Sequence, residues 1–179
     1  IIDNTGDRVE QYTLATAWDT SNVTSNGSLA IPTETQPRGI DFKPDGTKFF
    51  TIGDDDEKIR SWTLATAWDI DSGKSGGNSS NRTNGYENKP KNLQFNSDGT
   101  VLYIAGENGN DINKLTLSTA YDTSSSSLDT SQTATTYDVS AQSDESMRGF
   151  VFIDNSSVTS LGHAAKFFIT DDITSGANT

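Results

Sequence analysis

The chain of 179 residues has no cysteine, which excludes disulfides and thiolate-bound metal centres. Its single histidine, His163, cannot by itself build a zinc site or complete a Ser-His-Asp triad. Positive charge is scarce: 13 Lys and Arg face 25 Asp and Glu, for a net charge of −12 and a pI near 4.3. No basic patch stands out, so a nucleic-acid backbone is excluded as a partner. No apolar run approaches the roughly 20 residues of a membrane-spanning helix, and membrane insertion is not expected. A phosphate-binding P-loop, a dinucleotide fingerprint and a G-x-S-x-G nucleophile elbow are also missing. Hydrophobic content is only 31% and mean hydropathy is −0.60, too thin for a helical bundle but suited to short strands with polar turns.

What is present is a repeat. "YTLATAWDT" from Tyr12 returns as "WTLATAWDI" from Trp62 and as "LTLSTAYDT" from Leu115, at offsets of 50 and 53 residues. "PRGIDFKPDGTKFFTIG" from Pro37 aligns without gaps to "PKNLQFNSDGTVLYIAG" from Pro90. A further copy begins with "MRGFVF" at Met147 and resumes, after an insertion, with "KFFIT" at Lys166. The units therefore run 1–36, 37–89, 90–146 and 147–179. The first holds only the end of a unit and the last only its start. With no signal peptide visible and Ile1 at the start, the expectation is a piece of a longer polypeptide.

Each unit reads as a small antiparallel sheet. Ile40 and Phe42, Leu93 and Phe95, and Phe150 and Phe152 alternate at strand period. Asp45-Gly46 and Asp98-Gly99 then supply tight hairpin turns, where glycine accepts a positive φ. The second strand is "KFFTI", "VLYIA" or "KFFIT", and the third is "RVEQYTL", "KIRSWTL" or "INKLTL". In that third strand the bulky residues step by three and then by two: Val9, Tyr12, Leu14; Ile59, Trp62, Leu64; Ile112, Leu115, Leu117. They must point to both faces, as in a sheet packed between neighbours. For the fourth strand "GSLAIPTE" and "TTYDVSA" are candidates, whereas "SGGNSSNRTNGYENK" reads as a Gly/Ser/Asn loop.

Four short strands every fifty residues is the β-propeller pattern. The Pro-x-Gly-Ile-x-Phe-x-Pro-Asp-Gly-Thr run resembles YVTN- and NHL-type propeller repeats, and the "YTL-x-T-x-W-D" ending resembles repeats in phage virion and bacterial surface proteins. The resemblance implies an all-β propeller of four-stranded blades and a binding, display or structural role, with no fixed catalytic set to carry over. About three blades' worth of strands are present, fewer than the four to eight that close a propeller. Completion would come from the remainder of the same chain or from other subunits.

Candidate site residues fall in two groups. Trp18, Trp68 and Tyr121 share one repeat position and end a strand, so they are either packing residues or platforms for sugar rings, with glycans as candidate ligands. Asp54, Asp55 and Asp56 in "GDDDEK", Glu107 and Asp111 in "GENGND", and Asp171 and Asp172 lie in loops after the second strand. They are either solvated or oxygen ligands for calcium, the candidate cofactor. The sequons at Asn22, Asn26, Asn78, Asn81 and Asn155 are about as many as chance supplies. Together these features point to a non-enzymatic propeller module of an extracellular, cell-surface or virion protein, with glycan or protein partners. The competing expectation is a propeller enzyme, such as a calcium-dependent lactonase or hydrolase.

Overall fold

The Asp-Gly turns close two hairpins of the same geometry. Gly46 and Gly99 sit at φ +71° and +73°, and their N–H groups donate to Lys43 O (2.8 Å) and Asn96 O (3.1 Å). Asp45 accepts the Thr47 N–H at 3.0 Å and its hydroxyl at 2.6 Å, and Asp98 accepts the Thr100 N–H at 2.9 Å. The Asp-Gly-Thr triplet is thus a self-contained Asx-type turn: glycine supplies the left-handed backbone and the carboxylate ties down the exit.

The computed structural model describes residues 1–3, 5–32, 36–54, 57–83, 87–107, 111–123, 135–138, 147–153 and 166–171. Among them the only regular elements are strands. The first unit contributes β1 (Ile2–Asp3), β2 (Arg8–Thr16) and β3 (Asp19–Ala30). The second contributes β4 (Pro37–Phe42), β5 (Lys48–Gly53), β6 (Lys58–Thr66) and β7 (Asp69–Arg82). The third contributes β8 (Pro90–Phe95), β9 (Val101–Gly106), β10 (Asp111–Thr116) and β11 (Thr135–Asp138), and the fourth β12 (Met147–Ile153) and β13 (Lys166–Asp171). Within each unit the strands pair antiparallel in chain order, giving four separate sheets that do not close on themselves.

Two readings from sequence need correction. "SGGNSSNR" is not loop but part of the long strand β7. It pairs along β6 because Gly73 and Gly76, at φ +94° and +107°, absorb the register shifts between Ser61 and Trp62 and between Leu64 and Thr66. Its backbone ladder carries the strand where side-chain propensity is absent. The first unit, expected to hold only the end of a unit, also carries part of its second strand. In β1, Ile2 stands opposite Val9 as Ile52 stands opposite Ile59, so β1 is the tip of that strand.

The core lies between sheets rather than inside any one of them. Phe49, Trp62, Leu64 and Ile70 pack with Val9 and Ile31 of the first unit. Phe50, Ile52 and Ile59, from the other face of the same sheet, pack with Leu93, Phe95, Leu102, Ile104, Leu115 and Leu117 of the third. Ala105 and Ile112 turn to Met147 and Phe150 of the fourth. The three-residue step of the third strand has this meaning: Ile59 and Trp62, and likewise Ile112 and Leu115, serve opposite layers.

Polar side chains fix the offset between units. The Phe95 N–H donates to Asp41 Oδ2 (2.7 Å) and the Phe152 N–H to Gln94 Oε1 (2.7 Å), so equivalent positions cross equivalent gaps. Gln94 goes further, returning a bond from Nε2 to Phe152 O at 3.0 Å. Burial pushes the Asp41 carboxyl up, against the lowering effect of the Phe95 and Phe42 amides. Protonation therefore favours the folded chain, and the cost of burying this charge fades as pH falls through the raised value. Asp41→Gln should form both bonds without a charge, raising stability at pH 7 by about 1 kcal/mol in urea unfolding. It should also remove the acid-side gain. A loss of stability at pH 7 would show that the two positions are not equivalent.

Candidate functional site

The repeated aromatic sits in a two-residue turn. Thr66 pairs with Asp69, leaving Ala67 and Trp68 to join β6 to β7. The equivalent residue is left-handed in each of the three units that carry it: φ is +67° at Trp18, +64° at Trp68 and +55° at Tyr121. A bulky L-residue held there costs about 1–2 kcal/mol, so something must hold it.

In two units the holder is the hairpin glycine. The Trp68 N–H donates to Gly46 O and the Tyr121 N–H to Gly99 O, both at 3.0 Å. Each ring then lies flat on that glycine. A Cβ on Gly46 would fall 2.3 Å from the indole Nε1, and one on Gly99 would fall 2.2 Å from the phenol ring. The Asp-Gly hairpin and the "TAWD" turn are thus two halves of one clasp, which explains why both recur.

The three aromatics nevertheless occupy different surroundings. Tyr121, 8% exposed, packs against Phe95 and Phe50, and its hydroxyl donates to Ser97 O at 2.7 Å. Burial, with the nearby Asp41, Asp98 and Asp45 charges, holds its ionisation above the ordinary tyrosine value. Trp68, 52% exposed, stacks on Phe42 at 5.5 Å. Trp18 is 96% exposed, and among the described residues no glycine hairpin lies beneath it. They stand in three different units, Trp68 and Tyr121 each on a clasp and Trp18 without one among the described residues, and do not share a common platform.

The acidic candidates lie at the opposite end of the strands. Asp54 follows β5 and Glu107 follows β9; Arg38, Lys91 and Arg148 each occupy the second residue of a unit's first strand. Asp54 Oδ2 meets Arg38 Nε at 3.0 Å and Lys91 Nζ at 2.6 Å. Glu107 Oε1 meets Lys91 Nζ at 3.1 Å and Arg148 at 2.6 Å, and its Oε2 lies 3.5 Å from Lys89. A continuous chain of ion pairs, Arg38–Asp54–Lys91–Glu107–Arg148, therefore crosses three units along an open depression of about 540 Å³. Asp111 is apart from it, at the start of β10, accepting a bond from Asn113 at 2.8 Å. Asp55, Asp56, Asp172 and His163 lie outside the described residues, and for Asp171 only the backbone is described.

Chemically, this end carries carboxylates already met by ammonium and guanidinium groups. A calcium ion would have to displace those cations to reach Asp54 Oδ2 or Glu107, while Asp54 Oδ1 is buried without a hydrogen-bond partner. The cations were not singled out from sequence, yet the signal exists: Arg38, Lys91 and Arg148 occupy one column of the repeat alignment, facing the Asp54/Glu107 column. Burial pushes the Glu107 carboxyl up, but Lys91, Arg148 and Lys89 outweigh it and hold the group below its ordinary value of 4.5.

Gly46→Ala places a side chain in a left-handed turn and inside the Trp68 ring, and should cost more than about 2 kcal/mol. Trp18→Gly relieves the same backbone with no clasp to lose, and should stabilise by up to about 1 kcal/mol in the same urea titration. For the ion pairs, Lys91 is only 7% exposed, so Lys91→Met leaves two facing carboxylates and should cost about 3 kcal/mol. Because the Glu107 value is depressed, its contribution is present above pH 4.5 and disappears as pH falls through the folded value. Glu107→Gln should flatten that acid limb in a melting series from pH 7 to pH 3.

No protein-family profile matches the chain, and no curated protein matches it. Among solved structures it is similar to a 6-phosphogluconolactonase candidate from Bacteroides uniformis, at 14% identity and a TM-score of 0.48. It is also similar to a functionally unknown protein from Desulfotomaculum acetoxidans, at 15% identity and a TM-score of 0.44. Each match covers 64% of this chain and 32% of the other, so the chain spans about a third of those proteins' length. At these scores the likeness assigns neither a fold nor a reaction to this chain.

Proposed function

We propose that the chain is an arc of a β-propeller serving as a non-enzymatic scaffold and binding module, with its remaining blades supplied by further repeat units. The observation that carries this reading is the ion-pair chain through Asp54, Lys91 and Glu107. It runs from unit to unit at one end of the first strands, beside the packing of β4 on β8 and β8 on β12. Successive sheets whose first strands pack side by side and whose faces are all apolar build the inner wall of a propeller. The same chain engages Asp54 and Glu107, two of the carboxylates considered as calcium ligands, and this favours a scaffold over a calcium-dependent lactonase or hydrolase.

An extracellular, cell-surface or virion setting agrees with the acidic charge, the Ser/Thr-rich stretches and the style of the repeats. Protein partners fit this reading better than glycans. Trp68 and Tyr121 spend one ring face on a glycine, and only Trp18 offers both.

Electron microscopy of the chain joined to neighbouring repeats should give class averages with a ring of four to eight blades. An extended ribbon or a flat sandwich would overturn the propeller. A millimolar calcium titration followed by calorimetry should leave the melting temperature unchanged; a saturable rise would overturn the scaffold reading in favour of a metal site.

A further inference from the structure

Among the described residues, two copies of one seat are filled and a third is not. In the second unit the seat has three parts. The inner edge of β6 pairs with β5 through Phe50↔Ser61, Phe49↔Trp62 and Lys48↔Thr63. The Leu64 N–H donates to Thr47 O at 2.9 Å, and Trp68 closes on Gly46. The third unit repeats all three, with Leu102 opposite Leu115, Leu117 N–H on Thr100 O at 2.8 Å, and Tyr121 on Gly99.

In the first unit the receiving half is complete. β2 carries Tyr12, Thr13 and Leu14 where β6 carries Trp62, Thr63 and Leu64, and Trp18 is already turned to the same φ as Trp68 within 3°. Among the described residues, only Arg8, Val9 and Glu10 are met on that edge, by residues 1–3. Tyr12 is 40% exposed where Trp62 is 3%.

A second observation defines what belongs there. Phe50 of β5 fills the layer between the second and third units, touching Phe95 and Tyr121. The equivalent space between the first and second units is an open groove of about 240 Å³ lined by Tyr12, Ile40, Phe42, Trp68 and Ile70. Phe42 and Trp68 stand there as Phe95 and Tyr121 stand in the filled layer, and no ring of the described residues lies between them as Phe50 does. This accounts for the half-exposure of Trp68 against the burial of Tyr121.

We infer that the edge of β2, Trp18 and this groove form one docking site for a β-hairpin of the chain's own repeat type. The hairpin carries a left-handed glycine in its turn, to lie under Trp18, and an aromatic residue four positions later, to fill the groove. The spacing is that of Gly46 and Phe50. Its second strand adds to the free edge of β2, a strand addition in which backbone bonds give affinity and the two pockets give register. The stretch between β12 and β13 contains no Asp-Gly, so a second copy's β12–β13 hairpin does not carry that turn signal. This inference rests on the proposed repeat architecture only for the source of the hairpin.

The test is a graft: residues 37–50 are duplicated directly ahead of Ile1, which brings a hairpin onto β2 in the register of β5. Amide exchange at Tyr12 and Leu14, whose N–H groups face the same edge as those of Glu10 and the equivalent Leu64, should slow by about a hundredfold or more. Trp18 fluorescence, read in a Trp62→Phe/Trp68→Phe background, should shift to the blue. Gly46→Val within the grafted copy should abolish both effects while leaving the host's own Gly46 clasp intact. Three results would overturn the inference: unchanged exchange on grafting, equal protection from the Gly46→Val graft, or Trp18-dependent dimerisation of the ungrafted chain in sedimentation, which makes a second copy the occupant. The graft reads one local seat, so it can fail while the ring seen by microscopy stands, and the reverse holds too.

Discussion

Phe49 and Phe50 are adjacent in sequence, and both are fully buried. In a strand, adjacent side chains point to opposite faces, so a sheet carrying that pair has no solvent face. It must lie between two others. Everything else in the chain serves that requirement, because one unit cannot bury its own hydrophobic surface. Trp62 and Ile59 repeat the demand on β6, and Ile112 and Leu115 repeat it on β10.

Apolar burial is non-directional, so it does not say how far one sheet slides along the next. Directional groups supply that information. Asp41 and Gln94 reach across successive gaps to the same backbone amide of the following unit. At one end of the strands the ion pairs through Asp54, Lys91 and Glu107 lock the first strands together. Towards the other, the aromatic turns of the second and third units lock the later part of each to its inner hairpin. The two mechanisms differ in their sensitivity. The ion pairs depend on pH through the depressed Glu107 carboxyl, whereas the clasp depends on the absence of a side chain at Gly46 and Gly99.

Much of this was legible in the residues. The period of fifty, the hairpin turns and the two-faced third strand follow from spacing alone, since strand periodicity and the positive φ of Asp-Gly turns are local properties. β7 was not legible, because "SGGNSSNR" has no strand propensity and pairs only where β6 offers it an edge. The role of the acidic loops was half legible. Asp54 and Glu107 stand out as carboxylates, but their meaning depends on Lys91, which is 37 residues from one and 16 from the other.

The sequence by itself determined a repeating all-β chain whose sheets need neighbours, because alternation, glycine turns and recurrence are written in contiguous residues. Only the tertiary structure decided what the recurring tryptophan does. Trp18 and Trp68 sit in the same "TLATAWD" run and adopt the same backbone angle, yet one lies on Gly46 and the other stands in solvent. Identical local sequence yields identical local conformation. Whether that conformation is filled depends on a hairpin brought from elsewhere in space, and no window of sequence around the tryptophan contains it.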